Sequence, residues 1–149
     1  MRLWHYRLLP YLPDLQLKGQ LRELVAIMHT WRDRGKTNHL LINHVMNYPK
    51  SELRMYYIIY KNSYKERFGK DISKKFDDEF LNFVKNENIW DYYTESELYD
   101  LPSTLYKDWQ NKEYLRICMA NLYEKYLGVG KTKLTLDEWK RLLMGYKKK

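Results

Sequence analysis

Two groups near the start of this chain could do chemistry together: the α-amine of Met1 and the carboxylate of Glu23. An α-amine has an ordinary pKa of about 7.7–8.0, against about 10.4 for a lysine. At neutral pH a useful fraction of it is an uncharged nucleophile, a state that a lysine reaches only by strong desolvation. Such an amine can attack a sugar C1′ or an aldehyde and form an imine. A carboxylate beside it can stabilise cationic character on the sugar and move protons. The chain opens Met1-Arg2-Leu3-Trp4-His5 and runs straight into apolar and aromatic positions. Termini fray unless something ties them down, so this opening predicts an ordered amine with Trp4 as the plug that pins it. His5 reads as a core residue that could also face the site.

Glu23 sits on a helical stretch whose buried face is expected at Leu17, Leu21, Leu24 and Met28. At about 100° per residue it falls off that stripe. It shares a ridge with Gln16, Gly19 and Ala26, so its neighbours include two very small residues. Gly in mid-helix costs about 1 kcal/mol relative to Ala and often permits close approach by a ligand or another chain. Two readings stand: a shallow groove with a carboxylate in its floor, or an exposed glutamate beside an incidental glycine.

Other chemistries find little footing. The stretch GVGKTK (128–133) lacks the first glycine of a phosphate loop and does not follow a strand, so it reads as a helix stop. The histidines are His5, His29, His39 and His44, and the last two are five residues apart, off one helical face. No metal and no cofactor are expected. Cys118, the single cysteine, recurs at an apolar-face spacing and reads as core. It forbids an intrachain disulfide and suits a cytoplasmic compartment, nucleoid-associated if the partner is DNA.

The elements that must position these groups are helices. Pro13-Asp14 reads as a helix start and Gly35 as its stop. A short helix follows near 38–47, ended by Pro49. Ser51 is expected to cap the next helix, with Leu53, Tyr57, Tyr60, Tyr64 and Phe68 on one face and Gly69 closing it. Phe76, Phe80 and Phe83 mark another. Thr94 and Glu97 have capping-box spacing. Leu115, Met119, Leu122 and Tyr126 mark a long helix that stops at Gly128, and Thr135 with Glu138 caps a last one before Trp139, Leu142 and Leu143. No stretch alternates apolar and polar residues, so the fold class is all-α, a single compact helical domain over 1–149 with its N-terminus packed on the first long helix. Apolar content of 44% excludes disorder, and the +8 net charge favours a polyanionic partner. Pro10 and Pro13 break the opening apolar run, and no small-residue cleavage site follows, which excludes a signal peptide. No run approaches the roughly 18 apolar residues of a membrane span.

The first 27 residues resemble the pyrimidine-dimer DNA glycosylases, a family that opens with a nucleophilic α-amine followed by Arg and an aliphatic residue, and carries Arg-Glu-Leu on its first helix. The matching residues are Met1-Arg2-Leu3, Leu12, Asp14, Leu17 and Arg22-Glu23-Leu24. Two further stretches are similar: Asn43-His44-Val45, and ANLYEK (120–125) in the late helix. The opening Met-Arg-Leu-Trp-His also resembles a bacterial branch. The resemblance implies an all-α DNA-repair glycosylase with abasic-site lyase activity, acting as a monomer on damaged duplex DNA without a cofactor. Met1 would supply the amine and Glu23 the catalytic carboxylate. Arg2 and Arg22 would contact the sugar-phosphate or base, and Lys125 a phosphate. His44 matches a position and carries no assigned role.

The chain departs from the family at several points. Arg2 should block removal of Met1, so Met1 itself is the nucleophile. Gln16 stands where the family has a His beside the lesion, Ala26 where it has a basic residue, and Asn121 where it has Arg. For the family's aromatic-basic ending, Trp139, Tyr146 and the lysines 147–149, or the stretch IWDYY (89–93), are loose substitutes. The amine chemistry survives these changes, while the dimer as substrate is left open. The reading from another class is a helical nucleic-acid-binding protein that keeps the fold without the reaction.

Overall fold

The computed structural model describes residues 2–35, 37–85, 105–130 and 133–148. Met1, the Thr94/Glu97 pair, IWDYY and Lys149 lie outside the described residues. The order is a 3₁₀ helix at Tyr6–Tyr11, then α1 (Asp14–Asp33), α2 (Leu40–Val45), α3 (Lys50–Phe68), α4 (Lys74–Val84), α5 (Lys112–Tyr126) and α6 (Leu136–Lys147). All the regular structure among the described residues is helical, as the periodicity requires.

Most boundaries follow local chemistry. Pro13 stands at the N-cap of α1 and Asp14 in its first turn, where a carboxylate suits the helix dipole. The capping box of α6 is complete: Thr135 Oγ1 accepts from Glu138 N–H, and Glu138 Oε1 accepts from Thr135 N–H. Gly69 ends α3 at φ 67°, donating its N–H to the Lys65 carbonyl at 2.8 Å. The expected Ser51 cap is a correction. Pro49 takes the N-cap place of α3, because its fixed φ suits a helix entry, and Ser51 falls inside the first turn with its hydroxyl buried and unpartnered.

The 3₁₀ helix is the hub, packed between α3 and α6, while α1 packs on α2, α3 and α4. Leu3, Leu8, Leu9 and Leu12 are all fully buried. At about 1.5–3 kcal/mol per buried leucine, the opening segment is an integral part of the core. They join Leu17, Leu24, Tyr56, Tyr60, Cys118 and Leu142 in one cluster. Tyr57 is buried as expected, stacked on Phe80 at 4.1 Å, whereas Tyr64 is only half-buried, edge-on to Phe68 at the end of α3.

The carbonyls that end the 3₁₀ helix are capped by two arginines. Arg67 of α3 donates to the carbonyls of Pro10 and Leu12, and Arg141 of α6 to those of Tyr11 and Leu12. Gly145 lets α6 approach: a Cβ there would collide with the Tyr11 ring. Lys148 of the basic tail is exposed, with its ammonium over that same ring at 5.5 Å.

Candidate active site

Residues 2–4 form an extended segment outside any helix, and in place of a ladder its backbone is met by side chains. Gln20, 1% exposed in the centre of the buried face of α1, does most of this. Its Nε2 donates to the Arg2 carbonyl at 2.8 Å and to Glu23 Oε2 at 2.9 Å. Its Oε1 accepts from Trp4 N–H at 2.9 Å and lies 3.1 Å from the Tyr56 hydroxyl. That hydroxyl donates to the Trp4 carbonyl, and the Tyr114 hydroxyl donates to the Leu3 carbonyl. Gln110 Oε1 accepts from Tyr6 N–H at 2.8 Å. Buried backbone groups must be paired, and here three helices and the turn before α5 pair them.

The buried face of α1 is therefore rotated from its expected position. It runs through Leu17, Gln20, Leu24, Ile27 and Met28, and Leu21 is only half-buried. The shift brings Glu23 to the edge of the core. Its Oε2 accepts from Arg2 N–H at 3.2 Å as well as from Gln20. Burial raises the Glu23 carboxyl above its ordinary value, an effect opposed first by the Arg2 N–H and then by Gln20 and the positive charge around it.

Above Glu23 opens a cavity of about 310 Å³ lined by Arg2, Trp4, Glu23, Asn121, Glu124, Lys125 and Val129. The Arg2 guanidinium lies over the Trp4 ring at 5.3 Å. The structure thus brings Arg2, Glu23 and Lys125 together across more than a hundred residues of sequence, with Asn121 beside them. Two carboxylates face two cations, in a polar hollow of a size that admits a sugar or a phosphate group. Arg22 is exposed and is not among the residues lining this cavity; its Nη2 comes near Gly19 instead, 4.0 Å from where a Cβ would stand. Gly19 otherwise has no atom within 4 Å of that position, and Gln16 on the same ridge keeps a buried Oε1 without a partner; neither lines the cavity.

The remaining candidates have structural places. Trp4 is the buried plug expected of it. His5 is 2% exposed at the N-cap of the 3₁₀ helix, where its Nδ1 accepts from Arg7 N–H at 3.1 Å. Burial brings its imidazole down to about 4, so it is neutral at physiological pH. Cys118 is fully buried, and burial pushes its thiol up. His44 packs edge-on against Trp109 and Tyr48, and Asn43 pairs with Thr37 to hold the turn before α2. No metal-ligand cluster and no helix long and apolar enough to cross a membrane occur among the described residues.

Gln20 is the residue that sequence reasoning missed. A glutamine three residues before Glu23 and three after Leu17 carries no pattern signal of its own. A signal existed in its position, because a polar residue flanked by Leu17, Leu21 and Leu24 must have buried partners.

Compared with known proteins, residues 1–76 match the family model described as pyrimidine dimer DNA glycosylase. No curated protein and no solved structure matches the chain. The matched stretch holds Arg2, Gln20, Arg22 and Glu23 and ends at the start of α4, short of Asn121 and Lys125 on α5.

Proposed function

Because the chain belongs to the pyrimidine dimer DNA glycosylase family, we propose that it excises a damaged base from duplex DNA through the α-amine of Met1 and then cuts the strand as an abasic-site lyase. The amine attacks C1′ of the damaged nucleotide. The N–C1′ bond forms as the glycosidic bond breaks, and the base leaves with the electron pair and takes up a proton. Opening of the C1′–O4′ bond, with loss of the amine's proton, leaves an imine. Removal of a C2′ proton then expels the 3′ phosphate by β-elimination. Glu23 stabilises positive charge at C1′ and moves protons between these steps. Arg2 and Lys125 hold phosphate beside it, and Arg22, outside the cavity, meets the flanking backbone. The target nucleotide leaves the stack to reach the hollow.

The observation that carries this reading is the hydrogen bond from Arg2 N–H to Glu23 Oε2 at 3.2 Å. Met1 precedes that nitrogen in the chain, so the carboxylate is held one residue from the one that carries the amine. A carboxyl raised by burial and bonded to the N–H of the second residue is suited to moving protons.

The test is borohydride trapping on a duplex with one abasic site and on a duplex with one cyclobutane dimer, using protein whose first residue is Met1. Wild type should form a covalent adduct on the abasic site. Blocking the amine should abolish it, and Glu23→Gln should slow it by about 10²-fold or more. The dimer duplex decides the lesion. Salt-sensitive binding without any adduct would leave a binding module and end the enzymatic reading.

A further inference from the structure

We propose that Gln20 is the positioning residue of this site: its buried amide ties the first peptide units and the Glu23 carboxylate into one hydrogen-bonded unit. The proposal rests on the amine-carboxylate reading above and adds what sets the distance between the two groups.

The geometry singles out Gln20 from the other groups that hold the N-terminal segment. Tyr56 and Tyr114 grip that segment at the Trp4 and Leu3 carbonyls, without a hydrogen bond to Glu23. Gln20 alone among the described residues bonds both the segment and the carboxylate. From one planar amide it reaches the Arg2 carbonyl at 2.8 Å, Trp4 N–H at 2.9 Å and Glu23 Oε2 at 2.9 Å. The donor set fixes its orientation, because the nitrogen faces two acceptors and the oxygen faces the Trp4 N–H donor. No other uncharged side chain of this length offers donors and an acceptor at once. Asparagine is shorter by one methylene, and methionine fills the space with neither. An enzyme whose amine and carboxylate must meet one sugar carbon depends on such a brace, since a misplacement of about 1 Å can cost about 10²-fold in rate.

Gln20→Glu is the informative substitution, since it keeps the shape and replaces the donating nitrogen with oxygen. That oxygen would face the Arg2 carbonyl and the Glu23 carboxylate, both acceptors, so the introduced carboxyl could donate only when protonated, and then to one of the two. The groups that bear on its titration are Glu23 on α1, the Arg2 side chain, Tyr56 on α3, and Tyr114, Glu124 and Lys125 on α5.

The experiment is single-turnover imine trapping on an abasic-site duplex from pH 5 to pH 9 for wild type, Gln20→Glu and Gln20→Met. Circular dichroism at each pH gives the folded fraction, and amide exchange is followed at Trp4. Gln20→Glu should recover part of wild-type trapping at the acid end and lose about 10²-fold toward the alkaline end, a limb that wild type lacks, while staying folded. Gln20→Met should lose a similar factor at every pH without weakening DNA binding, and Trp4 N–H should lose its protection. Wild-type trapping together with unchanged profiles in both variants, or losses that follow the folded fraction alone, would overturn the positioning role and leave the proposed function standing. Absence of an adduct with wild type would instead remove the proposed function, and this inference with it.

Discussion

At the scale of single residues, the site sets function against stability. Glu23 is raised by burial, so in the unfolded chain it ionises at lower pH than in the folded one. The stabilising contribution of its protonated form is present below the unfolded value and is lost as pH rises through the folded value. Above its folded value the ionised group therefore opposes folding. Glu23→Gln keeps an acceptor for Arg2 N–H and removes the buried charge. It should raise the melting temperature while slowing imine formation; a fall in melting temperature would contradict this. His5 works in the opposite sense. Its folded value is about 4, against 6.5 in the unfolded chain. Between those two values the unfolded chain holds the proton and the folded chain does not, so stability is full above the upper value and falls as pH drops toward the lower one. The loss is at most about 3 kcal/mol. Urea midpoints at pH 7 and pH 4.5 should show a smaller drop for His5→Gln than for wild type, because Gln has no proton to take up. Glu23 was legible in the sequence as a carboxylate on a ridge of small residues. Gln20 was not, because periodicity counts apolar positions and is silent about which polar residue the core has satisfied.

At the scale of elements, the 3₁₀ helix decides how the N-terminal segment, proposed to carry the chemistry, is aimed. From the sequence, Pro10 and Pro13 read only as breaks in an apolar run. In the fold, Pro10 lies inside the 3₁₀ helix and Pro13 starts α1, so the breaks are a tight turn that sends residues 2–5 back along α1. Helix starts and stops were legible where a cap is a property of adjacent residues, as at Thr135 with Glu138. They were not legible at Ser51, where proline geometry outcompetes a hydroxyl. The contact of α6 on the 3₁₀ helix turns on Gly145, where a Cβ would meet Tyr11 Cγ at 2.5 Å, near the root of that ring and so hard to relieve by rotation. Gly145→Ala should destabilise by about 1–3 kcal/mol through overpacking, although alanine favours a helix over glycine by about 1 kcal/mol. Gly145→Ala combined with Tyr11→Ala should recover part of that loss relative to Tyr11→Ala alone. Chemical denaturation of the four proteins reads this coupling, and purely additive effects would show that the close approach is not what the glycine serves.

At the scale of the whole molecule, the fold separates two cation-bearing hollows that the sequence presents only as an excess of +8. One is the hollow at Glu23 with Arg2 and Lys125. The other is a cavity of about 550 Å³ whose lining includes Arg7, Lys112, Arg116, Lys147 and Lys148. Composition cannot show this division, and neither can periodicity, since Arg2 and Lys125 meet only through the tertiary fold. On α5, Lys112 and Arg116 are turned roughly 140–180° from Asn121 and Lys125 and stand about 8–20 Å from them along the axis. A duplex seated over the Glu23 hollow therefore reaches one region and not the other. Each phosphate contact contributes about −0.9 to the slope of log K against log salt. Arg2, Arg22 and Lys125 together should give a slope near −3 for binding of an abasic-site duplex too short to wrap the molecule, measured with Glu23→Gln to halt the chemistry. Lys125→Ala should bring the slope about one unit closer to zero, and Lys112→Ala should leave it unchanged. A slope that responds equally to both would mean that the duplex lies across α5 rather than over the hollow, and the assignment of Lys125 to the reacting nucleotide's phosphate would fall.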